Sequence, residues 1–193
     1  MRTHHKQYIM DNNSKYFVEN EDLDLKKLEE LNAKAHLFTE ITPSKVKHYT
    51  DATGYTVNGL GEIRYFNIEL KNRNQVLLQD GRISGCSQTG KDYIDDTIFI
   101  EDHKIADMLL DSINGLEPLY INFLSNGWVL IYNLSKLTQR PKKYVNMRIN
   151  SKGYKALEFG NRQGLFIKDA AIYDSNYNLV KRCGEEWEMK NKQ

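Results

Sequence analysis

The chain of 193 residues is long enough to bury one substantial core, and 27 Lys+Arg against 26 Asp+Glu leave a net charge of +1, so overall charge announces no nucleic-acid partner. Two distant cysteines, Cys86 and Cys183, exclude a disulfide scaffold, a zinc knuckle and a CxxC redox pair, and suit a reducing cytoplasm. No apolar run approaches the roughly 20 residues of a membrane span, and Met1-Arg2-Thr3-His4-His5-Lys6 has no apolar core behind it, so neither a membrane partner nor a signal peptide is expected.

Residues 1–20 are polar and read as a tail. From Asp22 the spacing turns helical, with Leu25, Leu28, Leu31, Ala35 and Leu37-Phe38 at three- and four-residue steps and Pro43 as the stop. Two strands follow, from about Tyr49 to Val57 and from about Glu62 to Arg73, with Asn58-Gly59 and Gly61 in the turn. The second alternates: Phe66, Ile68 and Leu70 face one way, while Asn67, Glu69, Lys71 and Arg73 face the other. Residues 79–92 read as a loop, Thr97–Ile100 as a short buried strand, and Glu101–Ile113 as a helix ended by Asn114-Gly115. Leu119–Leu124 and Trp128–Tyr132 form a hairpin about Asn126-Gly127, and Tyr144–Ile149 and Leu165–Tyr173 are strand-like. The expected fold is α/β (α+β): a mixed sheet flanked by helices over residues 21–135, with a basic, mostly β C-terminal extension over 136–193 packed on it.

The near-zero net charge conceals a segregation. Residues 136–168 carry nine Lys/Arg and one acid, Glu158, whereas residues 92–117 carry eight acids and one Lys/Arg, Lys104. A positive arm beside a negative pocket is one expectation; two solvated faces that partly neutralise each other are the other.

The chemistry-bearing feature is Glu69-Leu70-Lys71. On a strand both charged side chains emerge on one face, where a carboxylate can hold a hard divalent cation and an ammonium can orient a water or balance charge on a phosphate. Asp51 at the start of the preceding strand supplies a second carboxylate, and Glu40, at the end of the first helix, a third. A second Glu-x-Lys, Glu188-Met189-Lys190, lies in a charged tail without alternation or an upstream acid and serves as a control for chance occurrence. His4, His5, His36, His48 and His103 lack ligand spacing, and no phosphate-binding loop, dinucleotide fingerprint or nucleophile elbow is present.

The series Glu40…Asp51…Glu69-Leu70-Lys71, set in an α-β-β-β-α-β order, resembles the PD-(D/E)xK nuclease superfamily, with Thr50-Asp51 in place of the Pro-Asp of its name. The resemblance covers roughly residues 25–135 and implies a restriction-endonuclease-like core. It implies Asp51, Glu69 and Lys71 as catalytic, Asp51, Glu69 and Glu40 as metal ligands, and Mg2+ or Mn2+ as cofactor. Lys104, Arg73, Lys142 and Lys143 are the expected nucleic-acid contacts. The expected activity is metal-dependent hydrolysis of DNA, branched or with free ends, by a cytoplasmic protein for which a homodimer is compatible. The alternative is an inactive nucleic-acid-binding or protein-interaction module of the same fold.

Overall fold

The structure, a computed structural model, describes residues 22–44, 50–86, 92–137, 142–147 and 159–187. Residues 22–35 form helix α1, whose Leu28 and Leu31 are fully buried. The helix ends earlier than its leucine spacing implies. His36 takes a left-handed φ of 51°, its N–H bonds Asn32 O at 2.9 Å, and the Asn32 side chain holds Phe38 N and O at 2.7 and 3.1 Å. Phe38 is still buried, but in the exit from the helix. The next residues form an unanticipated strand, β1 (Glu40–Pro43), so Glu40 is a strand residue and not a helix-end residue.

β2 (Ala52–Val57) and β3 (Ile63–Arg73) pair antiparallel through the expected turn, where the Asn58 carboxamide accepts from the N–H groups of Leu60 and Glu62. Gly54 on β2 leaves room for Phe38: a Cβ there would meet its ring at 3.2 Å and Glu40 O at 3.1 Å. The expected loop, residues 79–92, contains one strand and has two more at its borders. β4 (Val76–Leu77), β5 (Ile83–Cys86) and β6 (Asp92–Asp95) make a small antiparallel sheet. Then come β7 (Thr97–Glu101), α2 (Asp102–Ser112), and the hairpin of β8 (Leu116–Leu124) and β9 (Val129–Asn133), turning at Gly127 with φ 84°. β10 (Lys142–Met147) and β11 (Phe159–Phe166) pair with each other, and β11 pairs in turn with β7. The segment Leu165–Tyr173 is not one strand. A single 3-10 turn at Ile167–Asp169 breaks it, and β12 (Ala171–Tyr173) and β13 (Leu179–Lys181) join a different sheet.

Among the described residues the fold is thus α+β, with two helices and a seven-stranded mixed sheet in the order β1-β2-β3-β8-β9-β12-β13. Only β3 and β8 run parallel in it, joined by the long crossover that carries the small sheet, β7 and α2. Residues beyond 136 are woven in, since β12 pairs with β9 and β11 with β7.

Each face of the large sheet has its own core. Phe66, Ile68 and Leu70 point to the α1 side, where they join Leu28, Leu31, Phe38, Ile121 and Phe123. The opposite face carries Tyr120, Leu124, Leu130 and Tyr132 against Ile105 and Met108 of α2, with Ile98 and Ile100 of β7. Both cores are contiguous, and a fully buried Leu or Ile adds about 1.5–3 kcal/mol. No helix of the described residues is long and apolar enough to cross a membrane.

Candidate active site

The Asn67-Glu69-Lys71-Arg73 row faces α2, so most of it is covered. Asn67 and Glu69 are 1% and 2% exposed, Arg73 is half-buried, and Lys71 is exposed. Alternation correctly assigns these residues to one face, but that face is roofed by a helix.

Asp51 and Glu69 are brought together by the backbone. Asp51 N donates to Ile68 O at 3.0 Å, and Leu70 N donates to Asp51 Oδ2 at 2.6 Å, so the two carboxyl groups flank one stretch of β3. Lys104, on the first turn of α2, reaches down to form an ion pair with Glu69 Oε1, while Glu69 Oε2 is buried without a hydrogen-bond partner. Burial, reinforced by the Asp51 charge, pushes the Glu69 carboxyl up to about 8, against the smaller opposing pull of Lys104 and Lys71. Burial pulls Lys104 downward, but Glu69, Asp51 and Glu101 outweigh it and hold the ammonium above its ordinary value.

Glu101 and Arg162 belong to the same neighbourhood. They sit opposite each other in the β7–β11 register. Burial works to raise the Glu101 carboxyl, but its own backbone N–H, Lys71, Lys104 and Arg162 together lower it. Gln163, the next residue on β11, bonds Asp102 at the start of α2. The acidic and basic stretches of the sequence therefore meet along this strand pair. Glu101 could have been noticed three residues before Lys104 in the acidic run; Arg162 has no local sequence signal, because its place depends on a non-local pairing.

The other residues of the row are structural. Asn67 accepts from Thr50 Oγ1 at 2.6 Å and donates to Asp111 Oδ2 of α2 at 2.6 Å. Arg73, an expected nucleic-acid contact, is committed inside the fold: its guanidinium bonds Asn122 Oδ1 at 2.7 Å, Tyr120 OH at 2.5 Å and Phe99 O. Lys104 likewise faces Glu69 and not an open surface, with 27% of its side chain exposed.

Glu40 does not join the site. It pairs with Tyr55, which pairs with Tyr65, four positions before Glu69, or about 13 Å along the strand at ordinary strand rise. Its carboxylate accepts from Tyr55 OH at 3.2 Å, and this bond raises the Tyr55 hydroxyl. Lys142 and Lys143 lie on β10, opposite Gly164 and Gln163 of β11, which places that strand one removed from β7. Residues 148–158, including Lys152, Lys155 and Glu158, lie outside the described residues.

Among the described residues no three His, Cys, Asp or Glu form a metal cage. Two carboxylates nevertheless fit Mg2+, which keeps several waters and takes only one or two carboxylates plus substrate phosphate. The buried, unpartnered Glu69 Oε2 is the atom that such an ion would satisfy. A cleft of about 260 Å³ lined by Asp80, Arg82, Phe166, Lys168 and Trp187 shares no residue with this site.

Compared with known family models, curated proteins and solved structures, the chain matches none.

Proposed function

We propose that the protein is a divalent-metal-dependent nuclease that hydrolyses DNA phosphodiester bonds on a restriction-endonuclease-like core. The carrying observation is the placement of Asp51, just before β2, against β3 beside Glu69, with exposed Lys71 on the same strand face and one Glu69 oxygen left unpartnered. In this reading Asp51 and Glu69 hold the cation, and Lys71 orients the attacking water and balances charge on the phosphate. Bound Mg2+ or Mn2+ would polarise the scissile phosphate and acidify that water. Arg162 and the basic strands β10 and β11 would follow the flanking backbone, displacing counterions.

The second reading is an inactive nucleic-acid-binding or protein-interaction module. It is favoured by the Lys104–Glu69 ion pair, which satisfies one carboxylate oxygen without any metal. Incubating the purified protein with linear, circular, single-stranded and branched DNA, with and without Mg2+ or Mn2+, separates the two. Metal-dependent cleavage that Glu69→Gln removes supports the nuclease; binding without cleavage under every condition supports the module.

A further inference from the structure

We propose that Lys104 is a tethered cation: it holds half-buried Asp51 and buried Glu69 together in the metal-free protein and releases Glu69 when a divalent cation arrives. This rests on the metal-site reading above and adds how the site is kept assembled and how it opens.

Two carboxyl groups beside one stretch of strand, one of them only 2% exposed, cannot both ionise without mutual repulsion and loss of hydration. Something positive must stand between them. Lys71 is on the same strand face but exposed, whereas the Lys104 ammonium contacts Glu69 directly and is also drawn by Asp51 and Glu101. Three carboxylates thus act on the Lys104 ammonium, although they do not group closely enough to cage a metal.

The anchoring of Lys104 allows exchange. Its helix is held by Ile105 and Met108 in the core, by Asp111 on Asn67 and by Gln163 on Asp102, so α2 need not move. Only the flexible four-carbon stem has to swing, and its side chain already touches solvent. Asp51 and Glu69 would hold a divalent ion, whose charge is twice that of the ammonium, and Glu69 would then be freed from Lys104. Lys104 is therefore a positioning residue, acting through Glu69.

The test measures two things on the full chain: Mn2+ binding by titration calorimetry, and the rate at which an amine-acetylating reagent modifies Lys104, read by peptide mass spectrometry. Lys136, with 59% of its side chain exposed, is the internal standard. The expected result is that Mn2+ binds and Lys104 acetylation rises several-fold relative to Lys136. Metal-free Glu69→Gln is expected to label at that raised rate, with no further rise on adding Mn2+. Mn2+ binding with Lys104 labelling unchanged overturns the tethered cation and leaves the metal site standing. Slow labelling in a folded Glu69→Gln variant also overturns it. Absence of Mn2+ binding to the wild type overturns the metal-site reading, and this proposal with it. The labelling of the unaltered chain decides even if the variant does not fold.

Discussion

Asp51 meets Glu69 through the residue next to it: the Asp51 carboxylate accepts the backbone N–H of Leu70 at 2.6 Å, fixing one acid to the strand that carries the other. The Asp51 side chain is thereby anchored to the β3 backbone beside Glu69, and the Lys104 ammonium offsets the negative charge gathered there. Because Glu69 is buried and paired, removing it to Ala would strand Lys104, and conservative replacements are the better probe. Glu69→Gln, Asp51→Asn and Lys71→Ala are each expected to lower metal-dependent DNA cleavage at least about a hundredfold, comparable to loss of one preorganised charge-stabilising group. Unchanged far-ultraviolet circular dichroism and a thermal midpoint near that of the wild type must accompany the loss.

The pH dependence follows from the Glu69 carboxyl. Its folded value of about 8 lies above its ordinary 4.5, so between these limits the folded chain holds a proton that the unfolded chain has released. Stability contributed at this residue is therefore fully present below about 4.5 and falls as pH rises toward about 8. Urea unfolding of the wild type and Glu69→Gln across that window should show a steeper decline in the wild type. Parallel curves would remove Glu69 from the account.

Arg73→Ala is expected to destabilise the fold by about 1–3 kcal/mol, because Asn122, Tyr120 OH and Phe99 O all lose a donor. Chemical denaturation measures it. The salt dependence of DNA binding should not change, since the guanidinium is spent inside the protein.

Lys142→Ala/Lys143→Ala tests the basic ribbon. If β10 follows the DNA backbone, log affinity against log salt should flatten by about 0.9 per lost contact on duplex, or roughly 0.7 on a single strand. Cleavage at saturating DNA should change much less. Identical slopes would mean that these lysines serve solubility alone.

His36→Gly should stabilise the protein by about 1 kcal/mol, because His36 holds the left-handed conformation that glycine adopts without strain. A lowered thermal midpoint would contradict the cap geometry.

The long periodic segments were legible: β3 by its alternation, α2 by its spacing and Gly115 stop, and the β8–β9 hairpin by Asn126-Gly127. From these the proximity of Asp51 to Glu69 could be anticipated, because a tight turn joins their strands. Alternation shows which residues share a face, but not whether that face is covered, and so Arg73 was expected outside and found bound within. The end of α1 could not be read, since His36 gives no glycine-like signal, and the misplaced boundary carried Glu40 with it. Strands as short as β4–β6 hold too few residues for any period to emerge. Their order comes instead from pairing with one another and from Asn126 closing on Leu77 O at 3.1 Å.

The place of β12 against β9 bears on how the chain is made. The hairpin β8–β9 is complete at Asn133, yet the outer rim of β9 finds its partner only when Ala171–Tyr173 has left the ribosome. Until then the nascent sheet exposes unpaired peptide groups of Val129–Ile131, a template for pairing with another chain.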